Sequence, residues 1–102
     1  MYCVVLCTAS NSEAEMIAAA LVEQKLCACI NVIPEVKSFF QWKGRLEEEK
    51  ESLLIIKTET RMIDRLIDAI KKLHSYEVPE IITLPITSGY SEYLGWIGDS
   101  LT

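Results

Sequence analysis

Histidine is nearly absent from this sequence: 102 residues contain one, His74, so a metal centre built on several imidazoles is excluded. All four glycines are isolated, which removes the glycine-rich loop that cradles a phosphate. Three prolines and no low-complexity tract leave nothing to serve as an interdomain linker, and 102 residues suffice for one hydrophobic core; residues 1–102 are expected to form a single domain. No apolar run approaches the roughly 20 residues that span a bilayer, so no membrane partner is expected. Lys and Arg number 10 against 15 Asp and Glu, and beyond Lys71 and Lys72 the cations do not cluster. The counterion release that drives nucleic-acid binding therefore has no source, and nucleic acid is not an expected partner. The N-terminus runs directly into strand-like sequence with no basic segment and cleavage site, which suggests a cytoplasmic protein.

Four cysteines are present, but none forms a CxxC pair. Cys3 and Cys7 lie in one apolar run, Cys27 and Cys29 in another, and in a reducing compartment free thiols are expected. No serine or cysteine has a base at motif spacing, so an enzyme is not expected.

Half the residues are apolar, and their periodicity divides the chain into alternating elements. Tyr2 to Ala9 reads as a strand buried on both faces. Ser12 and Glu15 have capping-box spacing ahead of a helix carrying Ala14, Ile17, Ala18 and Leu21 and reaching about Lys25. Leu26 to Trp42 reads as a long strand interrupted at Pro34 and Glu35, where a bulge fits. Lys43 and Gly44 supply a turn, and Arg45 to Lys57 returns as a third strand, charged through "EEEKE" and apolar through "SLLII". The charged half is expected to be a solvated, overhanging hairpin. Ile63, Leu66, Ile67, Ile70 and Leu73 mark a second amphipathic helix ending near His74, with Lys71 and Lys72 matched to its C-terminal dipole. Ile81 to Ile86 is a fourth strand, and Tyr93, Leu94, Ile97 and Leu101 suggest a short C-terminal helix.

The order β-α-β-β-α-β predicts an α+β, ferredoxin-like sandwich with sheet order 4-1-3-2, a long hairpin between its second and third strands, and self-association to cover the exposed sheet edge. In that topology the start of the fourth strand faces the end of the first, which brings Cys7 and His74 to one end of the sheet. A thiolate and an imidazole together suit copper or zinc better than magnesium or calcium. The same residues have plainer readings: Cys7 as a packed small hydrophobe, His74 as a helix C-terminal cap. Lys57 could anchor an anion or reach solvent at a strand end. Trp42 and Phe40 could line a site or cover a sheet face, and Tyr76, Glu77 and Glu80 could belong to a site or to a turn fixed by Pro79.

Three stretches, "LVEQKLCACINVIP", "SFFQWKGRLEEEKESLLIIKT" and "HSYEVPEIITLPITSGYSEYLGWI", together resemble the CutA divalent-cation tolerance family across nearly the whole chain. The resemblance rests on Ala28, Cys29, Asn31 and Pro34, and on Trp42, Gly44, Lys57 and Thr58. It implies a homotrimer of ferredoxin-like subunits, similar in architecture to the trimeric PII signalling proteins, with a link to copper and other divalent metals. Carried over, it points to Cys7 and His74 as metal ligands for a weakly held copper ion. It also points to Cys29, Asn31, Trp42, Lys57, Tyr76 and Glu77 as an intersubunit cleft. The chain departs from the family pattern at Ser75, where His-Pro-Tyr is usual, at Cys27 in place of alanine, and at Phe40 in place of tyrosine. The function expected from sequence is metal tolerance through divalent metal binding by a homotrimer. The alternatives are a PII-like module binding a small anion at Lys57 and Asn31, or an assembly scaffold without ligand; an acylphosphatase-like hydrolase would need a glycine loop that is missing.

Overall fold

The structure, a computed structural model, describes residues 1–101. Its elements run β1 (Tyr2–Ser10), α1 (Ala14–Glu23), β2 (Cys29–Trp42), β3 (Arg45–Glu59), a 3-10 turn (Thr60–Met62), α2 (Ile63–Leu73), β4 (Ile81–Pro85) and α3 (Ser91–Asp99). The four strands form one antiparallel sheet in the order β2-β3-β1-β4, as the β-α-β-β-α-β pattern predicts.

Burial in β1 alternates strictly: Cys3, Val5, Cys7 and Ala9 are buried while their neighbours are partly open. These odd positions meet Leu54 and Ile56 of β3 on the face covered by Ile17 and Leu21 of α1 and Leu66 and Ile70 of α2. The apolar stripe of each helix thus falls on the odd face of β1, where most of the buried side chains gather. The other face, carrying Val4, Leu6, Ile55, Ile82 and Leu84, has no such layer. Helix α3 reaches it at the end where β1 begins: a side chain at Gly98 would lie 3.4 Å from the Tyr2 hydroxyl. Ile82 and Leu84 remain half exposed.

β1 pairs with β3 only from Glu51 to Glu59, so Arg45–Lys50 pairs with β2 alone and projects beyond the sheet. The projecting ribbon closes through Lys43 (φ 53°) and Gly44 (φ 78°), both left-handed as a two-residue hairpin turn requires. The pairing shifts between Ile33 and Val36, where Pro34 lacks a donor and Glu35 takes φ 60°. The Glu35 amide and the Ser52 hydroxyl both donate to Asn11 Oδ1, tying the bulge to the loop before α1.

Three local expectations are corrected. The Ser12–Glu15 capping box does not form; Glu13 occupies the N-cap, and its carboxylate accepts instead from Ser10 and from the distant Ser75. β2 begins at Cys29, because Leu26 and Cys27 are buried in a turn held by the Thr58 hydroxyl on the Leu26 carbonyl. Within the charged half of the hairpin Glu51 is only 4% exposed, since the register sets it beside Ser10 at the edge of the main sheet. The four thiols are free, as expected.

Candidate functional site

β4 starts at Ile81, opposite Cys7, so the edge of β1 beyond that point has no strand beside it. His74, immediately after α2, supplies the missing donor. Its Nδ1 accepts the Tyr76 amide at 3.1 Å, which leaves the proton on Nε2 to be donated to the Thr8 carbonyl at 2.6 Å. The Cys7 thiol approaches the same carbonyl oxygen at 3.6 Å. Topology has therefore brought thiol and imidazole to one oxygen, with both ring nitrogens engaged. Cys7 is fully buried, and burial, followed by the charges of Glu80 and Glu51, pushes its thiol up to about 12. Such a thiol is protonated at neutral pH. His74 is a C-cap by position, its amide donating to Ile70, but its ring serves β1 and not the helix carbonyls.

The segment after His74 crosses to the other face of the sheet. Tyr76 packs on the imidazole, ring centroids 4.5 Å apart, and donates its hydroxyl to Glu51 Oε1 at 2.7 Å. Burial, reinforced by the Glu51 carboxylate, raises the phenol well above its ordinary range. Ser75 donates both its amide and its hydroxyl to Glu13. Burial opposes ionisation of Glu13, but the hydrogen bonds from Ser75 and Ser10 outweigh it and hold the carboxyl below its usual value. A proline at this position could make neither contact.

Between this segment and the projecting ribbon lies a cavity of about 660 Å³. Glu47, Glu49 and Glu51 line it along β3, Phe40 and Trp42 along β2, and Glu77 and Glu80 along the loop. Lys43 sits over the Trp42 ring at 5.9 Å, so one face of that indole already receives a cation.

A second cluster lies toward the other end of β3. Lys57 is 9% exposed; its ammonium donates to Asn31 Oδ1 and to the Ile55 carbonyl at 3.3 Å. Among the described residues no carboxylate reaches it, the one ion pair being Arg61–Glu59. Cys29 stands opposite Lys57 in the ladder and shares a hydrogen bond with Tyr93 of α3, whose phenol is raised by burial and by that thiol.

The residues grouped by sequence resemblance thus fall into two sets within one subunit. Cys29, Asn31 and Lys57 are together, and Trp42, Tyr76 and Glu77 line the cavity. Lys57 and Glu51 stand six positions apart along β3, roughly 20 Å of extended chain. Sequence reasoning passed over Glu51, Tyr93 and Glu13. Glu51 carries a signal in hindsight: it occupies the same strand face as Lys57 and Ile55 and lies next to the apolar half of β3. Tyr93 and Glu13 act through partners more than sixty residues away and leave no local trace. Among the described residues no three His, Cys, Asp or Glu side chains are grouped to hold a metal ion.

The sheet order, the helix layer on one face and the long projecting hairpin define the chain as a ferredoxin-like α+β protein of the kind seen in PII-like proteins. The family model described as CutA1 divalent ion tolerance protein matches residues 3–100, and the chain belongs to that family. The divalent-cation tolerance protein CutA of Thermus thermophilus is 45% identical over 98 residues, covering 95% of each chain. A CutA homolog of Xenopus laevis is 48% identical over 90 residues, of which this chain spans 60% of the length. Among solved structures, the PII-like protein CutA from Nostoc in apo form superposes with a TM-score of 0.93 at 32% identity, covering 98% of this chain and 97% of that one. The Thermus thermophilus relative is named for divalent-cation tolerance. Among the described residues no helix is long and apolar enough to cross a membrane.

Proposed function

We propose that the whole chain, 1–102, acts as one non-enzymatic cytoplasmic domain, assembled as a homotrimer, that binds copper or a related divalent metal weakly and so contributes to cation tolerance. The observation that carries the metal reading is the approach of Cys7 Sγ and His74 Nε2 to a single oxygen, that of Thr8. A thiolate and an imidazole at one point form a minimal site for copper, completed by water or a third ligand. Binding is weak for a physical reason: the metal must displace a proton from a buried thiol and take Nε2 from the Thr8 carbonyl. Assembly is supported by the half-exposed apolar face of β4 and by the unpaired edges of β2 and β4, which another copy of the chain can cover.

The test is an anaerobic copper titration of wild type, Cys7→Ser and His74→Ala, with sedimentation of each. Each substitution weakens copper binding while leaving three chains per particle, and affinity falls as pH falls because protons compete for both donors. Unchanged binding in both variants removes the Cys7–His74 site; a monodisperse monomer removes the trimer. A second reading is favoured by Lys57, a nearly buried ammonium that among the described residues meets only neutral acceptors. Such a group calls for a counter-anion, and a small anionic ligand would supply it, as in the PII-like alternative. Thermal-shift screening of small carboxylates and phosphates against wild type and Lys57→Met separates this reading from the metal one.

A further inference from the structure

We infer that Ser75 and Tyr76 are positioning residues for the metal site: the loop they form holds His74 in the imidazole tautomer that opposes metal, and copper capture has to break that hold. This coupling rests on the copper reading of Cys7 and His74 and adds the regulation of that site. An amide N–H can only donate, so the Tyr76 amide at 3.1 Å makes Nδ1 an acceptor and puts the ring proton on Nε2, which gives it to the Thr8 carbonyl at 2.6 Å. Ligation needs the reverse. Nε2 shares the Thr8 oxygen with Cys7 Sγ, so Nε2 must present its lone pair to a metal held by both side chains. The lone pair of Nδ1 points away from that oxygen, into the loop.

The proton count balances: the Cys7 thiol loses one proton to solvent, and the ring proton leaves Nε2 and returns on Nδ1. The protonated Nδ1 then faces the Tyr76 N–H, donor against donor, and the amide has to turn away. The loop resists that turn from both sides. Ser75 donates its amide at 3.0 Å and its hydroxyl to the Glu13 carboxylate, and the Tyr76 hydroxyl donates to Glu51 Oε1 at 2.7 Å. Each anchor ends on a carboxylate, the stronger kind of hydrogen bond. The imidazole has no escape into solvent, since His74 is 8% exposed and the Tyr76 ring packs on it with centroids 4.5 Å apart. The helix end stays outside the lock: the His74 amide donates to the Ile70 carbonyl, and the chain leaves α2 extended at φ −87°, ψ 138°. Linkage makes the effect mutual, so the factor by which the anchors lower copper affinity is the factor by which bound copper loosens the anchors.

The test uses the full chain in its native assembly, without oxygen and at one fixed pH, with Cu(I) as the probe. Wild type is compared with Cys7→Ser, His74→Ala, Ser75→Ala and Tyr76→Phe. Long-range nitrogen-15 NMR of the single histidine reads the tautomer directly. Without metal the proton is expected on Nε2, and with Cu(I) on Nδ1. Exchange of the Tyr76 amide should quicken on binding while the His74 amide, bonded to Ile70, stays protected. Ser75→Ala and Tyr76→Phe each remove one anchor and leave both ligands, and each should bind Cu(I) about tenfold tighter than wild type, the equivalent of one charge-assisted contact. A merely structural role for these two side chains predicts equal or weaker binding. The coupling is overturned together with the copper reading if Cys7→Ser and His74→Ala bind as wild type does. It is overturned alone, with the copper reading intact, if those two bind weakly but Nε2 keeps its proton, the Tyr76 amide keeps its protection, or neither loop variant binds more tightly.

Discussion

Removing one oxygen from Tyr76 tests how the loop after α2 is held. Tyr76→Phe deletes the 2.7 Å hydrogen bond to Glu51 and leaves a carboxylate that is 4% exposed without its donor. A hydrogen bond to a charged group contributes about 1.5–3 kcal/mol, and the ring remains to pack on His74, so the expected loss is about 2 kcal/mol of unfolding free energy. Glu51→Gln preserves an acceptor but removes the charge; in that background the Tyr76→Phe change should cost about half as much. The measurement is chemical denaturation of the four proteins of this double-mutant cycle at one fixed protein concentration. The alkaline limb adds a sign. The folded phenol titrates above its unfolded value, so its contribution is fully present below about pH 10 and is lost as pH rises toward the folded value. Tyr76→Phe should flatten that loss. A Tyr76→Phe protein within about 0.5 kcal/mol of wild type, or single and double variants that add without coupling, would refute the claim that this bond anchors the loop.

Two further outcomes follow from the same geometry. Alkylation under denaturing, non-reducing conditions should add label to all four cysteines, whereas brief labelling of the native protein should reach Cys29 first, the other three being buried; mass spectrometry of the peptides decides. Ser75→Ala removes one of the three donors to Glu13 and should raise that carboxyl toward its ordinary value, read directly by carbon-13 NMR titration. Because a depressed carboxyl gives stability above its unfolded pKa that disappears as pH falls through the folded one, wild type should lose more stability on acidification below about pH 4.5 than Ser75→Ala does.

The sequence by itself determined the element order, because each element carries its own period. The apolar run of Tyr2 to Ala9 with its β-branched Val4 and Val5, a 3.6-residue stripe in Ile63–Leu73 and the donorless Pro34 are local properties that survive in any context. Right-handed crossovers then left one sheet order, and with it the meeting of Cys7 and His74 at one end of β1. Only the tertiary structure decided what those groups do there. Whether His74 capped a helix or reached across to a strand depended on where β4 began, a matter of ladder length that no residue near His74 encodes. Glu13, the N-cap of α1, accepts from Ser75 because two loops distant in sequence end at the same edge. Glu51, written into a run of charges that reads as solvated, became buried because the register places it on the last rung shared with β1. Hydrophobic period fixes which face a side chain takes; burial, hydrogen-bond partners and the protonation of Cys7, Glu13 and Tyr76 are set by long-range packing, which periodicity does not carry.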